Sequence, residues 1–345
     1  MSFDKCEKIF DRLSQTAKIH EAIAYIENTD GSISWNKGYH RTIDSTINMA
    51  SITKLFTTTC ILILCEQGKL SLNDKIKTFL DKEIMNGLHV YKGIDYSNDL
   101  RISDLMFQVS GLPDYFLEGN EPFEKKMLKE DFYVDLEEMI AISKTMNPKF
   151  APRMGSRSYY ADINFDLLGK IIEIITQKTL SEVLCMFIFK PLNLKSTYIV
   201  TADTDYVPNV YYKEKKLSLV KFLRSCPASG GGVTTARELM IFIKAFWGGQ
   251  LFNKQVFEQL QNHKRLQITF GGIHYAGGYM YLKSGMLFIK KNQLVGHSGS
   301  TGSYAFYCPE TDLFFVGDVN QGSSPSIPIR LLLMMEMNTR NILSA

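Results

Sequence analysis

The chain has 345 residues, of which 45% are hydrophobic and 22% are charged, and this ordinary globular composition supplies enough chain for a large core. The net charge is +3 and no basic run exceeds Lys213-Glu214-Lys215-Lys216, so a nucleic-acid partner is not expected. The longest dense apolar run, Cys60 to Cys65, is too short to span a bilayer, and no transmembrane segment is predicted. The six cysteines lack paired spacing, which favours buried free thiols over disulfides or a metal site.

The first twenty residues place apolar side chains at helical spacing with charges between them. This pattern predicts an amphipathic surface helix rather than the apolar core of a signal peptide. We therefore expect a cytoplasmic protein, or a secreted or cell-surface one if a leader has been removed. Two strand-like runs at 22–27 and 32–39 then flank Asn28-Thr29-Asp30-Gly31, which predicts a hairpin whose turn type is left open.

The stretch Asn48-Met49-Ala50-Ser51-Ile52-Thr53-Lys54 is followed by a strongly apolar run at 55–64. Ser51 would lie at the first turn of a buried helix, with Lys54 about one turn further on the same face. A serine becomes nucleophilic when a base takes its proton, and a lysine held out of water has a lowered pKa that suits this task. An ordinary helix start with a solvated lysine has the same pattern, so the chemistry requires partner residues.

Helix-capping residues and the spacing of apolar residues predict the later helices and strands. Gly68 is predicted to end the helix that starts near Ser51, and Ser71-Leu72-Asn73-Asp74 is predicted to cap another. Ser229-Gly230-Gly231-Gly232 lacks a following Gly-Lys-Ser/Thr and is predicted to be a tight turn, not a phosphate loop. Thr235-Ala236-Arg237-Glu238 predicts a capping box for a helix through Phe246. Further helices are predicted at 103–109, 136–146, 164–176, 181–189 and 329–339, and strands at 271–282, 286–289, 304–308 and 313–319.

These elements predict an α/β (α+β) fold assembled from both ends of the chain. We expect residues 1–75 together with 233–345 to form the sheet domain. Residues 76–232 would form an inserted, mostly helical domain, with the active site in the cleft between the two.

Three motifs carry a family resemblance: Ser51-Ile52-Thr53-Lys54, Tyr160-Ala161-Asp162, and the stretch from Gly296 to Gly302. In order, spacing and setting they resemble the serine β-lactamase and penicillin-binding-protein superfamily, in particular its class C-like branch, which also contains esterases and D-amino-acid peptidases. The resemblance extends over about residues 45–320 through Ser71-Leu72-Asn73-Asp74, Ile102-Ser103-Asp104-Leu105, Ser110-Gly111-Leu112-Pro113, Phe150-Ala151-Pro152, Asn164-Phe165-Asp166-Leu167-Leu168-Gly169, Phe189-Lys190-Pro191-Leu192 and Ser229-Gly230-Gly231. It implies an antiparallel sheet flanked by terminal helices, with an inserted helical domain.

The resemblance also implies catalytic roles. Ser51 would be the acylated nucleophile, and Lys54 would help to remove its proton. Tyr160 would be the second half of the base and would pass a proton to the leaving group. The backbone N–H groups of Ser51 and Ser300 would form the oxyanion hole, and no cofactor or metal is implied.

Substrate binding would fall to Asp162 and to His297-Ser298-Gly299, and two of these residues depart from the family pattern. Asp162 replaces the usual Asn of the second motif; it could pair with Lys54, keep that lysine protonated and shift base duty to Tyr160. His297 replaces the usual Lys and would be mostly neutral near pH 7 unless an acid such as Asp162 raises its pKa. Both changes predict poor handling of penicillins and a preference for another acyl substrate, such as an ester.

Other residues have more ordinary interpretations. Gln108, where many relatives carry His, is predicted to affect packing more than catalysis. Tyr115, Phe116 and Tyr304 could line an acyl pocket, but core or loop packing is the favoured interpretation of each residue taken alone. Gly296 to Ser300 is not Gly-x-Ser-x-Gly, and the histidines lack metalloprotease spacing.

The sequence therefore predicts a metal-free serine hydrolase that forms an acyl-enzyme at Ser51 on an ester, a small amide or a D-amino-acid substrate. Its partner would be a small molecule or short peptide, and its oligomeric state stays open. One alternative is a DD-peptidase or β-lactamase. Another is a catalytically silent binding or sensor module of the same fold, although the presence of Ser51, Lys54 and Tyr160 together argues against it.

Overall fold

The computed structural model describes residues 3–285 and 291–343. Its strands are β1 Ala22–Asn28, β2 Ser34–Tyr39, β3 Thr46–Asn48, β4 Val90–Tyr91, β5 Ile94–Asp95, β6 Tyr198–Ile199, β7 Val210–Tyr212, β8 Lys215–Leu217, β9 Gly232–Thr235, β10 Lys264–Arg265, β11 His274–Tyr275, β12 Met280–Ser284, β13 Asn292–Ser298, β14 Ser303–Cys308 and β15 Leu313–Asp318. Its α-helices are α1 Asp4–Ser14, α2 Thr53–Glu66, α3 Lys82–Met85, α4 Ile102–Met106, α5 Phe123–Met127, α6 Leu136–Thr145, α7 Ile163–Thr176, α8 Leu180–Leu184, α9 Val220–Ser225, α10 Ala236–Gly248, α11 Phe257–Leu260 and α12 Ser326–Leu343.

The main sheet is antiparallel and has eight strands in the order β10-β11-β12-β13-β14-β15-β1-β2. The predicted hairpin is confirmed as β1 and β2, and β1 also pairs with β15, where Ile23 lies opposite Asp318. Every residue of β15 is buried. Because side chains alternate between the faces of a strand, helices must cover both faces there. Helices α1 and α12 pack on each other and on the sheet, and α10 packs on β1, β14 and β15.

A smaller sheet leads the chain into the core helix. Strand β3 pairs with β9, which also pairs with β6, and α2 follows β3 after one short turn. Residues 53–64 of α2 are buried on all sides, as the apolar run predicts. Gly68, at φ +67°, ends this helix as expected, with the Lys69 N–H donating to the Leu64 carbonyl at 2.9 Å.

The predicted cap at Ser71 is wrong. The Asp74 carboxylate does accept the Ser71 N–H at 2.7 Å, but the Asp74 N–H bonds to the Ser71 carbonyl, which makes a turn. Only a short 3₁₀ turn, Ile76–Thr78, follows. The Ile76 N–H is taken by the Leu100 carbonyl at 3.0 Å, and this tertiary bond replaces the first turn of a helix.

Other predicted elements differ in their ends. The strand predicted at 271–282 is two strands, β11 and β12, because the chain reverses at Gly278 (φ +88°), where a Cβ would overlap the Thr58 side chain of α2. The predicted strand 286–289 lies outside the described residues. The first helix is shorter than predicted and α12 is longer, while α8 continues as a π-helical turn, Cys185–Phe189. Thr235 caps α10 as expected, its hydroxyl accepting the Glu238 N–H at 3.2 Å.

The main sheet draws its strands from residues 22–39 and 264–318, and α3 to α9 lie between them in the chain. The division into a domain of 1–75 with 233–345 and an inserted domain of 76–232 stays a prediction. All six cysteines are free, and four of them are buried. Across residues 3–285 and 291–343, no helix is both long and apolar enough to cross a membrane.

Candidate active site

Ser51 lies on a 3₁₀ turn, Ala50–Ile52, which leads directly into α2. Ala50 has φ +44°, a left-handed conformation that is strained for a residue with a Cβ. The turn is held from outside by Gly232, whose carbonyl accepts the Met49 N–H at 2.9 Å and whose N–H donates to Thr53 Oγ1 at 3.2 Å. A Cβ at Gly232 would overlap the Met49 side chain, so glycine lets β9 approach and fix the turn.

Lys54 is completely buried beneath Ser51. Its Nζ lies 3.1 Å from Ser51 Oγ, 2.7 Å from the Ser229 carbonyl oxygen and 2.6 Å from Asp162 Oδ1. Three oxygen partners match the three N–H donors of a lysine ammonium. The pairing of Lys54 with Asp162 that the sequence suggested is therefore present, and Ser229 contributes a carbonyl that the sequence gave no reason to expect.

Tyr160 is buried beside this lysine, with the Lys54 Nζ 5.0 Å from the centre of its ring. Burial raises the pKa of Tyr160 well above its usual value near 10, the Asp162 carboxylate raises it further, and the Ser51 hydroxyl acts in the opposite direction. Tyr160 is thus a neutral phenol at pH 7. Its hydroxyl has no hydrogen-bond partner of ordinary length in the described part of the chain.

Two glutamines hold the segment that carries Tyr160. Gln108 Oε1 accepts the Ala161 N–H at 3.0 Å and the Asn164 side-chain amide at 2.5 Å. Gln267 Oε1 accepts the Tyr160 N–H at 2.9 Å. Gln108 therefore orients the second motif by hydrogen bonds, a more direct role than the packing role predicted for it.

Two further carboxyl groups flank Asp162. Asp114 Oδ1 accepts the backbone N–H groups of Asp162 at 3.2 Å and of Phe116 at 3.3 Å. Burial and the neighbouring Asp162 carboxylate raise the pKa of Asp114 well above its usual range. Asp166, one turn into α7, accepts the Tyr115 hydroxyl at 2.5 Å, and burial raises its pKa to about 7. The family resemblance includes Ser110-Gly111-Leu112-Pro113, but the sequence could not show that Asp114, the next residue, meets Asp162.

His297 lies on β13 and is completely buried. Its Nδ1 lies 2.8 Å from the Ser298 carbonyl oxygen, so Nδ1 carries the proton and donates to that oxygen. Its Nε2 then accepts a hydrogen bond from the Tyr275 hydroxyl, whose oxygen is 3.3 Å away. Burial, together with the Lys54 charge, lowers the pKa of His297 to about 3. This agrees with the expectation that His297 is mostly neutral near pH 7, and Asp162 is not among the groups that shift its pKa. His297 is a neutral residue behind the cleft wall, and its predicted contact with substrate stays a prediction.

The residues after His297 reach the cleft. Ser298, Gly299 and Ser300 line it together with Ser51. The Gly299 N–H bonds to the Ser303 carbonyl at 2.8 Å, and a Cβ at Gly299 would lie 2.6 Å from the Met49 carbonyl, so glycine lets this segment pack on the nucleophile turn. Among the described residues, neither the Ser51 nor the Ser300 backbone N–H donates a hydrogen bond, which leaves both available for the predicted oxyanion hole.

The cleft has a volume of about 610 Å³ and largely apolar walls. Phe116 lines it as suggested, whereas Tyr115 and Tyr304 are buried in the core. Other apolar lining residues include Phe222, Leu223, Phe270, Met280 and Ile329. Its charged residues are separated, with Asp114, Glu124 and Asp162 on the helical side and Lys283 of β12 and Arg330 of α12 on the other. Within 3–285 and 291–343, no group of His, Cys, Asp or Glu is placed to hold a metal ion.

The antiparallel sheet, the helices between its strands and the buried Ser-x-x-Lys turn define the class: this is a protein with the β-lactamase fold. More particularly, the chain belongs to the Beta-lactamase family, whose model matches residues 10–333.

Individual relatives agree with this assignment. Protein flp of Staphylococcus aureus (strain MW2) is 25% identical over 294 residues, which cover 81% of this chain and 54% of that protein. This chain therefore spans a little over half the length of that curated relative. The D-amino acid amidase from Ochrobactrum anthropi SV3, solved with D-phenylalanine, superposes with a TM-score of 0.80 at 18% identity over 98% of this chain and 99% of the other. The octameric penicillin-binding protein homologue from Pyrococcus abyssi superposes with a TM-score of 0.77 at 24% identity, over 99% of this chain and 78% of the other.

Proposed function

We propose that the protein hydrolyses esters or small amides with a bulky apolar acyl group through an acyl-enzyme at Ser51. The main support for this proposal is the position of Lys54 Nζ, which lies 3.1 Å from Ser51 Oγ and 2.6 Å from Asp162 Oδ1. Both contacts lie at the floor of an apolar cleft of about 610 Å³. A serine with a buried lysine partner at this distance is one arrangement by which a hydroxyl is activated for nucleophilic catalysis.

In the first step Ser51 Oγ attacks the acyl carbonyl carbon and its proton moves to the Lys54–Asp162 pair. Lys54 bridges the two oxygens, so it hands one of its own protons to Asp162 as it receives the serine proton. The pair acts as one base: it is neutral before the transfer and carries one positive charge after it, which balances the negative charge of the oxyanion. The developing oxyanion is stabilised by the free N–H groups of Ser51 and Ser300, a contribution for which removal of one donor typically costs about a hundred-fold or more in rate.

In the second step the tetrahedral intermediate collapses and the phenol of Tyr160 protonates the leaving oxygen or nitrogen. The raised pKa of Tyr160 supports this role because the group holds its proton at pH 7. The resulting phenolate regains a proton from the Lys54–Asp162 pair, which restores the starting charges. Water then attacks the acyl-Ser51 carbonyl, with the same groups acting in reverse.

The walls of the cleft support the substrate class. Phe116, Phe222 and Phe270 offer aromatic surface to an acyl group. The buried, neutral His297 leaves the third motif without the cation that would hold the carboxylate of a penicillin. The similarity to a D-amino acid amidase supports an amide substrate as the alternative to an ester.

A panel of aryl esters, D-amino-acid amides, D-peptides and β-lactams tests the proposal on wild type and Ser51→Ala, together with labelling by a fluorophosphonate probe. Wild type should be labelled and should hydrolyse an ester or amide best, and Ser51→Ala should lose about 10⁴-fold or more in kcat with all labelling. Ser326→Ala, which removes another cleft-lining serine, is the matched control.

Three outcomes would count against the proposal. Hydrolysis that persists in Ser51→Ala would move the nucleophile elsewhere. Penicillin or nitrocefin turnover as fast as the best ester would favour a β-lactamase. A folded wild-type protein that is neither labelled nor active, with probe access verified, would favour a binding or sensor module.

A further inference from the structure

A second cavity, which we call the rear pocket, lies among helices α6, α7, α8 and α9. Its volume is about 210 Å³, which is room for several water molecules. Two of its lining residues, Asp135 and Glu137, are exposed, so solvent reaches it. None of its lining residues lines the cleft that contains Ser51, so the two cavities are separate.

Residues 223–230 form the wall between the two cavities. Leu223, Cys226, Ser229 and Gly230 line the cleft, whereas Arg224, Ser225, Pro227 and Ala228 line the rear pocket. Helix α7 packs directly on the rear face of this wall, because a Cβ at Gly169 would lie 2.5 Å from the Ala228 Cβ. A single segment of chain therefore separates the cleft from the rear pocket.

Two polar side chains meet across this wall. Asp166 of α7 lines the rear pocket and Ser229 lines the cleft, and they are only 5% and 1% exposed. Asp166 Oδ2 accepts the Tyr115 hydroxyl at 2.5 Å, whereas Asp166 Oδ1 and Ser229 Oγ have no partner of ordinary hydrogen-bond geometry in the described part of the chain. The Ser229 hydroxyl nevertheless lowers the pKa of Asp166, so the two groups are neighbours. A small rotation of the hydroxyl, or one bridging water, joins them.

Ser229 also contacts the base of the proposed reaction. Its carbonyl oxygen accepts a hydrogen bond from Lys54 Nζ at 2.7 Å. Asp162 lies one helical turn before Asp166, whose N–H donates to the Asp162 carbonyl at 3.2 Å. A chain of polar groups therefore runs from the Lys54–Asp162 pair through the Ser229 hydroxyl to Asp166 and the rear pocket.

The groups around Asp166 allow it to exist in both protonation states near pH 7. Burial and the Asp162 carboxylate favour the acid, whereas Lys54 and the hydroxyls of Ser229 and Tyr115 favour the carboxylate, and the resulting pKa is about 7. A group with this pKa can take up and release protons at neutral pH. The other titratable or charged residues on the surrounding elements carry both signs or none: Lys170 and Glu173 of α7, Arg224 of α9, Asp135 and Glu137 at the start of α6, and the Cys226 thiol of the wall.

We propose that Asp166 and Ser229 carry protons between the Lys54–Asp162 pair and the rear pocket while a bulky acyl group fills the cleft and excludes water from it. This inference rests on the function proposed above. Deacylation leaves a carboxylic acid beside the pair, and RCOOH plus the neutral pair gives RCOO⁻ plus the pair with one extra proton. That proton passes through the Ser229 hydroxyl to the Asp166 carboxylate, which gives Asp166–COOH and the neutral pair. Asp166–COOH then releases it into the rear pocket, so one H⁺ leaves for each acyl group hydrolysed.

Chemical rescue of Asp166→Ala tests this path. In dilute buffer at pH 7 the variant should lose about tenfold or more in kcat on the best ester, which is less than the loss of a direct general base. Imidazole exchanges protons near pH 7 and fits the enlarged rear pocket, so it should restore most of the lost rate with saturation. Pyrazole, a ring of the same size that takes up no proton at this pH, should not. The rate of Ser51→Ala in the same solution is subtracted, and wild type should not be accelerated.

Three further variants separate proton transfer from packing. Asp166→Asn keeps an oxygen for the Tyr115 hydroxyl but cannot carry the proton, so it should lose as much activity as Asp166→Ala and should not respond to imidazole. Ser229→Ala keeps the carbonyl that binds Lys54 and should also lose activity. Glu173→Gln, also at the rear pocket, keeps the oxygen that accepts the Leu180 N–H. It should change kcat less than about twofold, because water screens its charge.

Infrared spectroscopy on Ser51→Ala follows the Asp166 carboxyl group without catalysis. The C=O stretch of a buried carboxylic acid should titrate with a midpoint at about pH 7 and should be absent when Asp166→Asn is added. Adding Ser229→Ala should shift the frequency of this band, because the hydroxyl that acts on the carboxyl group is removed.

The outcomes distinguish this path from the hydrolase itself. Rescue by imidazole and pyrazole alike, or an unchanged kcat in Asp166→Asn, overturns the path and leaves the hydrolase standing. A wild type that is inactive on every ester and amide overturns the hydrolase. The infrared band then decides the path: a response to pH and to Ser229→Ala supports it, and a band without either response overturns it. Circular dichroism checks the fold of Asp166→Ala, and if that variant does not fold, Asp166→Asn and the infrared band decide.

Discussion

The two walls of the cleft differ in the kind of groups that they present to a substrate. The helical wall carries Asp114, Tyr160 and Asp162, which can hold or move protons, with Lys54 behind them. The opposite wall ends in Ser298, Gly299 and Ser300, and the histidine of this motif, His297, is neutral and buried behind it. Proton transfer is thus concentrated on one wall, and the other supplies backbone donors in a fixed position. The replacements Asp162 and His297 act in the same direction, because the first adds negative charge and the second removes positive charge.

Among these predictions, the largest loss of activity is expected from Lys54→Arg, on the helical wall of the cleft. Arginine keeps the charge but does not release a proton at any ordinary pH, so the Lys54–Asp162 pair would no longer serve as a base. We expect kcat to fall about 1,000-fold, measured on the best ester under saturating substrate. Ser229 and Asp162 can still accept hydrogen bonds from the guanidinium, and circular dichroism checks that the variant folds. Substantial retained activity would instead assign Lys54 the role of a fixed cation, with Tyr160 as the base.

Tyr160→Phe is expected to have an intermediate effect that depends on the leaving group. The phenyl ring preserves packing against Phe270 and Tyr275, and only the proton donor is lost. Hydrolysis of an amide, whose leaving amine needs a proton, should fall about 100-fold, whereas a p-nitrophenyl ester should lose less than about tenfold. Equal losses of activity on both substrates would contradict the role of Tyr160 as proton donor to the leaving group. They would favour a role in the earlier step, the attack of Ser51 on the acyl carbonyl.

The smallest effect is expected at His297, behind the opposite wall, and it concerns how the free energy of unfolding depends on pH. The folded-state pKa of His297, about 3, is below its ordinary value of 6.5, so its neutral form stabilises the fold above pH 6.5 and this contribution is lost as the pH falls toward 3. About 2 kcal/mol of the free energy of unfolding should be lost by pH 5 through this residue. Denaturant unfolding of His297→Gln, whose amide can still bond Tyr275, should show a flatter pH dependence. His40→Gln, at an exposed position, is the control, and a slope equal to wild type in His297→Gln would contradict the assignment.

What the sequence predicted well was local. The spacing of Ser51 and Lys54 places them on one helical face, and the apolar run that follows requires burial, so their contact could be expected without any tertiary information. The pairing of Asp162 with Lys54 could be suggested because an acid stands where the resembled family has an amide.

What the sequence could not supply depends on distant segments. Asp114 meets Asp162, and Gln108 holds Ala161, only because two loops far apart in the chain fold together. The cap predicted at Ser71 failed for the same reason, since the Leu100 carbonyl takes the N–H that a helix would need. His297 was assigned to the substrate side by its motif, yet its complete burial and the bond to Tyr275 place its ring in the interior.

The pairing of β1 with β15 has a consequence for how the protein is made. Ile23 and Asp318 are far apart in the sequence, so β1 and β15 cannot pair until the whole segment between them has left the ribosome. Contacts this distant in sequence give a high contact order and slow folding. Until then β1 exposes an apolar strand with an unpaired edge, which is a site for aggregation. We expect that recombinant yield will depend on slow synthesis or on chaperones more than on the stability of the finished fold.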